Sequence, residues 1–193
     1  MYCVKSQHTI EDNIKKSRFI GMIFPCKDEQ SITRHLKNLH SQYPDATHIV
    51  YAYRLKTPQG FVYRFHDAGE PSGTAGKPIF QHLEGKDLID VLLVVVRYFG
   101  GIKLGAGGLT RAYGNVAKRV IDEADIEPFI EMASGRLAVT YSQLQPLEYL
   151  LKKLNGRIVA QQFAEQINLV LELPAEHLST LRQSFPLLEI ICL

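Results

Sequence analysis

The sequence predicts an α+β protein of two domains, 1–133 and 134–193. Three observations support this prediction. An apolar run, Asp90–Tyr98, leads through a glycine-rich loop into an amphipathic helix, which is the pattern of a central strand with a helix packed on it. Around 126–135 the periodicity stops, and a proline and a glycine mark a linker. After the linker, the predicted order βαββαβ is typical of a ferredoxin-like module.

In the first domain, extended segments surround one early helix. Lys5–Ile14 and Arg18–Pro25 are predicted strands joined by a polar turn. Asp28 can cap a helix that runs to about Tyr43, where the following proline stops it. The remaining predictions are a hairpin, a short helix, a central strand and a long helix, at Thr47–Leu55 with Phe61–His66, Pro78–Leu83, Asp90–Tyr98 and Gly108–Ala124.

In the second domain, the spacing of leucines separates helices from strands. Four leucines recur at helical spacing in the first helix, and apolar residues alternate in the third strand. The predicted elements are the strand Arg136–Tyr141, the helix Gln143–Leu154, the strands Arg157–Ala164 and Gln166–Leu173, a helix that begins at Pro174, and the closing strand Leu187–Leu193.

The composition is ordinary for a soluble protein, with 46% hydrophobic and 22% charged residues. Because the net charge is only +2, any affinity for nucleic acid must come from a local patch. The odd, widely spaced Cys3, Cys26 and Cys192 favour a reducing compartment over a disulfide framework or a zinc knuckle. The first residues lack a signal-peptide core and no apolar run could span a bilayer, so we expect a cytoplasmic protein without membrane association.

The segment Val94–Tyr113 predicts an anion-binding site. A strand passes through five glycines into a helix; glycines let the backbone approach a ligand, and the helix start offers unpaired N–H groups. Five basic residues and no acidic residue lie between Val91 and Ile121. The predicted contacts of an anion or nucleic acid are Arg97, Gly100, Gly101, Lys103, Gly105, Gly107, Gly108, Arg111 and Lys118.

The alternative is that these glycines only permit a tight turn between strand and helix. Two common phosphate loops are excluded, because the chain has no Walker motif and Gly105-Ala106-Gly107-Gly108 lacks the third spaced glycine of a dinucleotide fingerprint. Arg111 nevertheless favours an anion. A cation in the first turns of a helix opposes the helix dipole, and a bound anion offsets that cost.

A second chemically active segment, His66–Pro78, contains two acids, two hydroxyls and a lysine. Asp67 or Glu70 can serve as a general base or a magnesium ligand, with Lys77 beside them. Alternatively, these side chains bind backbone groups and cap the next helix. His48 is either a proton carrier or a structural histidine. The other histidines show no ligand spacing, so we predict no zinc site. We also expect no other metal and no cofactor.

Four motifs follow one another along the chain: Ser17-Arg18-Phe19, Ala46-Thr47-His48, the stretch Gly69–Pro78 and the stretch Val94–Tyr113. They occur in the order found in the IMPACT/YigZ family, which the sequence resembles over most of residues 15–125. The C-terminal module is similar to the extra domain of bacterial members. One departure is visible, since the family's usual Asp-Asp-Gly-Glu-Pro reads Asp67-Ala68-Gly69-Glu70-Pro71 here, which weakens a mechanism based on paired aspartates.

The resemblance implies a first domain folded like domain four of elongation factor G and the second domain of a small-subunit ribosomal protein. It also implies a second domain like the ferredoxin-like modules of that factor. The family's eukaryotic members regulate translation by binding the activator of a stress kinase, a pathway that bacteria lack. The family provides no known catalytic residues that could be assigned to positions of this sequence.

Three functions remain, in this order. The first is a non-catalytic protein associated with translation that binds RNA or the ribosome through the basic glycine loop and the helix Gly108–Ala124. The second is a protein-binding adaptor of translation or stress response, which uses the sheet face of the ferredoxin-like module. The third, by analogy of fold alone, is an enzyme acting on a phosphorylated small molecule. The sequence leaves the oligomeric state open.

Overall fold

The computed structural model describes residues 1–187 and 189–191. It divides into two compact units, Met1–Phe129 and Ile130–Leu193. The division lies four residues before the predicted one because a strand already begins at Met132, inside the expected linker. The predicted α+β fold of two domains is confirmed.

A five-stranded antiparallel sheet forms the centre of the first unit, in the spatial order β2-β3-β6-β4-β5. The central strand β6 is the predicted apolar run. Its residues 91–96 are fully buried because helices cover both faces of the sheet. The strands are β2 His8–Ile14, β3 Ser17–Pro25, β4 His48–Thr57, β5 Gly60–His66 and β6 Val91–Tyr98.

Three helices complete this unit: α1 Glu29–Gln42, α2 Gly76–Gly85 and α3 Ala106–Glu123. Helix α1 buries Ile32 and Leu39 on one face of the sheet. Helices α2 and α3 pack on the other face with a larger apolar cluster. Asp28 caps α1 as predicted, since its side chain accepts a hydrogen bond from the Ser31 N–H at 2.6 Å.

Two short strands at the ends of the first unit were not predicted. β1, Tyr2–Val4, pairs antiparallel with β7, Ile126–Pro128, inside the segment that we expected to be a linker. Three residues carry too little periodicity to indicate a strand. Their pairing depends on a partner far along the chain, which local pattern does not encode.

The second unit confirms the ferredoxin-like βαββαβ order. Its four strands lie in the order β11-β8-β10-β9, and the leucines of both helices join one cluster with the strands. The elements are β8 Met132–Val139, α4 Tyr141–Lys153, β9 Arg157–Phe163, β10 Ile167–Pro174, a 3-10 turn at Ala175–His177, α5 Leu178–Ser184 and β11 Glu189–Ile191.

Two boundaries differ from the predictions. A capping box between Thr140 and Gln143 starts α4 two residues early, at Tyr141. The closing strand predicted at Leu187–Leu193 is described only as Glu189–Ile191, and Cys192 lies outside the described residues. Of the helices in the described part of the chain, none is both long and apolar enough to cross a membrane.

Candidate nucleic-acid interface

The glycine loop that follows β6 is held against the turn between β2 and β3. A Cβ at Gly100 would lie 1.9 Å from the carbonyl oxygen of Lys16, so only glycine fits there. The Gly100 N–H donates to Ser17 Oγ at 3.2 Å. Lys15 and Lys16 have φ of 45° and 67°, as in a tight two-residue hairpin. Loop and turn therefore meet backbone to backbone.

This contact adds two lysines that the sequence analysis did not assign to the site. Lys15 and Lys16 are exposed beside the loop, as are Lys103 and Arg111. Within the described residues, none of these four cations forms an ion pair with a carboxylate. The sequence feature that could have indicated this role is the pair of basic residues in the predicted turn between two strands. We call the six exposed residues Lys15, Lys16, Phe99, Ile102, Lys103 and Arg111 the turn–loop surface.

The start of α3 completes this surface. The loop reaches the helix through Gly101 and Gly105, whose φ values are 85° and 71°, and no side chain caps the helix. Gly107 and Gly108 form its first turn. The Arg111 guanidinium folds back over that turn, since a Cβ on Gly107 would lie 3.8 Å from Nη1. A bound anion would satisfy both the free N–H groups and this cation.

Two of the predicted contacts are engaged elsewhere. The Arg97 side chain is buried, and its Nη1 lies 2.5 Å from Glu70 Oε1. Arg97 therefore lies beneath the loop and is not a surface contact, which a count of charges along the chain could not show. Lys118 is exposed on α3 and pairs with Asp122 one turn later, a contact that competes with a phosphate.

A buried polar network supports the loop from below. Glu70 Oε1 also accepts a hydrogen bond from the Tyr113 hydroxyl at 2.7 Å. Burial is the larger cause that raises the pKa of Tyr113, and this bond to Glu70 is the second. Arg97 Nη2 donates to Ser17 Oγ at 3.3 Å. The network thus joins the acidic segment, β6, α3 and the β2–β3 turn, and Glu70 acts within it as an internal counter-ion.

Asp67 organises the acidic segment by binding backbone groups. Its carboxylate accepts hydrogen bonds from the N–H groups of Gly73, Ala75 and Gly76 at 2.9, 3.0 and 2.8 Å. Burial alone would raise the pKa of Asp67, but these three donors outweigh it and hold the pKa below its ordinary value. Lys77 is exposed in the first turn of α2. The geometry favours the structural interpretation of Asp67 and Glu70.

His48, on β4, lies beside this network. Its Nδ1 lies 2.9 Å from the carbonyl oxygen of Ala68, and because a carbonyl only accepts, Nδ1 carries the proton. The other nitrogen, Nε2, lies 3.7 Å from Glu70 Oε1. Across residues 1–187 and 189–191, no three His, Cys, Asp or Glu side chains converge in a way that could hold a metal ion.

Fold and site together define a class: two-domain α+β proteins in which a buried ion-pair network supports a basic turn and glycine loop. The family description "Impact N-terminal domain" matches residues 15–121, and "Domain of unknown function (DUF1949)" matches residues 137–185. The chain belongs to the IMPACT family, as its motifs predicted.

The similarity extends over most of the chain. An "IMPACT family member" of Haemophilus influenzae is 36% identical over 168 residues, which cover 86% of this chain and 82% of that protein. "IMPACT family member YigZ" of Escherichia coli is 34% identical over 168 residues, which again cover 86% of this chain and 82% of that protein. A crystal structure described as that of "an hypothetical protein" matches with a TM-score of 0.72 and 29% sequence identity. The match covers 100% of this chain and 96% of the chain in that structure.

Proposed function

We propose that this protein is a non-catalytic, translation-associated protein that binds RNA, free or in the ribosome, through the turn–loop surface. The observation that carries the proposal is the backbone contact of Gly100 with the β2–β3 turn. This contact places Lys15 and Lys16 beside the loop that carries Lys103. The same loop leads into the start of α3, which no side chain caps and which carries Arg111.

The chemistry of this surface suits a phosphate backbone. Lysine, arginine and helix N-termini supply most of the contacts that proteins make to nucleic-acid phosphates. The net charge of +2 gives little general attraction, so a local group of cations without carboxylate partners is needed. Phe99 is 45% exposed beside them and offers a ring on which a base can stack.

The association with translation is supported by family membership and by the resemblance stated above. That resemblance implies that the family's eukaryotic members regulate translation and that the first unit folds like a domain of an elongation factor. These likenesses favour RNA over other polyanions as the ligand.

Binding of fluorescently labelled RNA by Lys16→Gln and Lys103→Gln variants tests the proposal. We expect each variant to lose affinity several-fold at low salt, because each removes one phosphate contact. Lys37→Gln removes the same charge from the exposed side of α1 and should bind like the wild type. Equal affinity of all four proteins, or no binding by the wild type, would contradict the proposal.

A second candidate function, a protein-binding adaptor, is favoured by β5. This strand lies at the edge of the first sheet, and all seven of its residues are exposed. Phe61, Tyr63 and Phe65 place aromatic rings there, and an exposed apolar edge strand can pair with an added strand. Partners that survive nuclease treatment in a pull-down, and are lost with Tyr63→Lys, would support the adaptor.

The sheet face of the second unit, which we predicted as the adaptor surface, is a further candidate. It contains a concavity of about 510 Å³ lined in part by Arg136, Gln162 and Asn168. An Arg136→Ala variant in the same pull-down distinguishes this face from β5.

An enzyme acting on a phosphorylated small molecule remains the third hypothesis. The general base or magnesium ligand predicted for it is Asp67 or Glu70, but Asp67 binds three backbone N–H groups and Glu70 binds Arg97 and Tyr113. A thermal-shift screen of nucleotides with and without magnesium tests it, since binding to the folded state raises the Tm.

A further inference from the structure

A cavity of about 510 Å³ lies on the α1 side of the first sheet, at the same end as the glycine loop. The end of α1, the start of β4 and the end of β5 form its walls. This volume is within the range of about 300–1,000 Å³ that is typical of small-molecule sites. Its polar and aromatic lining residues are His40, Tyr43, Thr47, His48, Tyr51 and His66.

Two of the lining rings already form a stack. Tyr51 and His66 are opposite each other on β4 and β5, and their rings lie 5.5 Å apart at an interplanar angle of 19°. His66 Nδ1 accepts a hydrogen bond from the Ala68 N–H at 3.1 Å, which fixes the orientation of the imidazole. A third flat ring that enters the cavity can extend this stack.

Thr47 joins the cavity to the turn–loop surface. It lines the cavity, and its Oγ1 accepts a hydrogen bond from the Phe99 N–H at 3.0 Å. Its own N–H donates to the carbonyl oxygen of Arg97 at 2.9 Å. A chain whose phosphates lie on the glycine loop can therefore place a base in the cavity.

We infer that the cavity binds one unstacked nucleobase of single-stranded RNA, and this inference rests on the proposed function. Among its lining residues, all of them in the described part of the chain, there is no carboxylate, lysine or arginine. Such a site favours an uncharged group. Imidazole and phenol groups supply the donors and acceptors that the edge of a base requires. Aromatic side chains, histidine included, commonly stack on unpaired bases.

Two substitutions at the exposed His66 separate stacking from structure. His66→Asn keeps an acceptor for the Ala68 N–H and removes the ring, whereas His66→Phe keeps a ring and removes the acceptor. The experiment measures the affinity of both variants for a single-stranded RNA and for a fully paired RNA duplex of equal length. Tyr51→Leu, which removes the other ring, provides a second variant.

We expect His66→Asn and Tyr51→Leu to weaken binding of the single strand by about 5- to 100-fold, and His66→Phe to retain most of the affinity. Affinity for the duplex should stay unchanged in all three, because its bases are paired and cannot enter. Binding that does not distinguish the two RNAs and is insensitive to His66→Asn overturns this inference and leaves the proposed function standing. Absence of binding to both RNAs overturns both.

Discussion

The buried pair of Arg97 and Glu70 is the strongest electrostatic feature at the scale of single residues. Both side chains are about 5% exposed or less. Removing charges from water is costly, and the pair recovers that cost only through close geometry and further hydrogen bonds. Tyr113 and Ser17 supply such bonds. The pair therefore fixes where the acidic segment and the glycine loop lie. Removal of either partner alone leaves an uncompensated buried charge.

A double-mutant cycle tests this role. We predict that Arg97→Met and Glu70→Gln each lower the free energy of unfolding by about 3–5 kcal/mol, because each leaves the partner charge buried. The double variant should lose less than the two losses added together. Urea unfolding of the four proteins measures these values, and strictly additive losses would contradict a direct interaction.

Asp67 gives a prediction about pH. Its folded-state pKa is lowered by the three N–H donors, so the stabilisation is complete above the ordinary Asp pKa of about 3.9 and is lost as the pH falls through the lower folded-state pKa. We expect the wild type to have a higher Tm than Asp67→Asn at pH 7, with the difference shrinking below about pH 4. Asp45→Asn, at an exposed position, is the matched control. A difference that does not depend on pH would show that the charge is unimportant.

At the scale of residues, the sequence pattern identified several residues of the candidate site but did not predict what each of them contacts. It singled out Arg97, Glu70 and His48, but the burial of Arg97 depends on which elements cover the end of β6. That information is contained in the tertiary structure and not in local spacing.

At the scale of elements, the contact between the glycine loop and the β2–β3 turn determines the site. The sequence suggested that the glycines allow a ligand to approach the backbone. At Gly100 the approaching group is instead the chain itself, at Lys16. Periodicity predicted the longer strands and the helices. The strands β1 and β7, and the place of the two lysines beside the loop, were not, because both depend on pairing between distant segments.

Gly100→Ala should separate the loop from the turn. The added methyl group would meet backbone atoms that cannot give way, so we predict a loss of stability of about 1–3 kcal/mol together with weaker RNA binding. Gly85→Ala, at the end of α2 where a Cβ has open space, serves as the control and should lose neither stability nor RNA binding. Thermal unfolding and an RNA titration of both variants provide the measurement. A Gly100→Ala protein with wild-type stability would refute the close packing.

At the scale of the whole molecule, each unit has its own apolar core, and the charge is nearly balanced. An RNA ligand would therefore be held by local phosphate contacts rather than by a general positive field. Contacts of this kind release counter-ions, and their number sets how steeply the affinity falls with salt concentration. The four cations of the turn–loop surface should account for most of that dependence.

The most direct measurement is the slope of log K against log salt concentration for single-stranded RNA. Each phosphate contact contributes roughly 0.7 to the slope, so replacing Lys15, Lys16, Lys103 and Arg111 by Gln should lower it by about 3. A control with Gln at the exposed Lys27, Lys37, Lys152 and Lys153 removes the same number of charges and should keep the wild-type slope. Equal slopes for the two variants would contradict binding through the turn–loop surface.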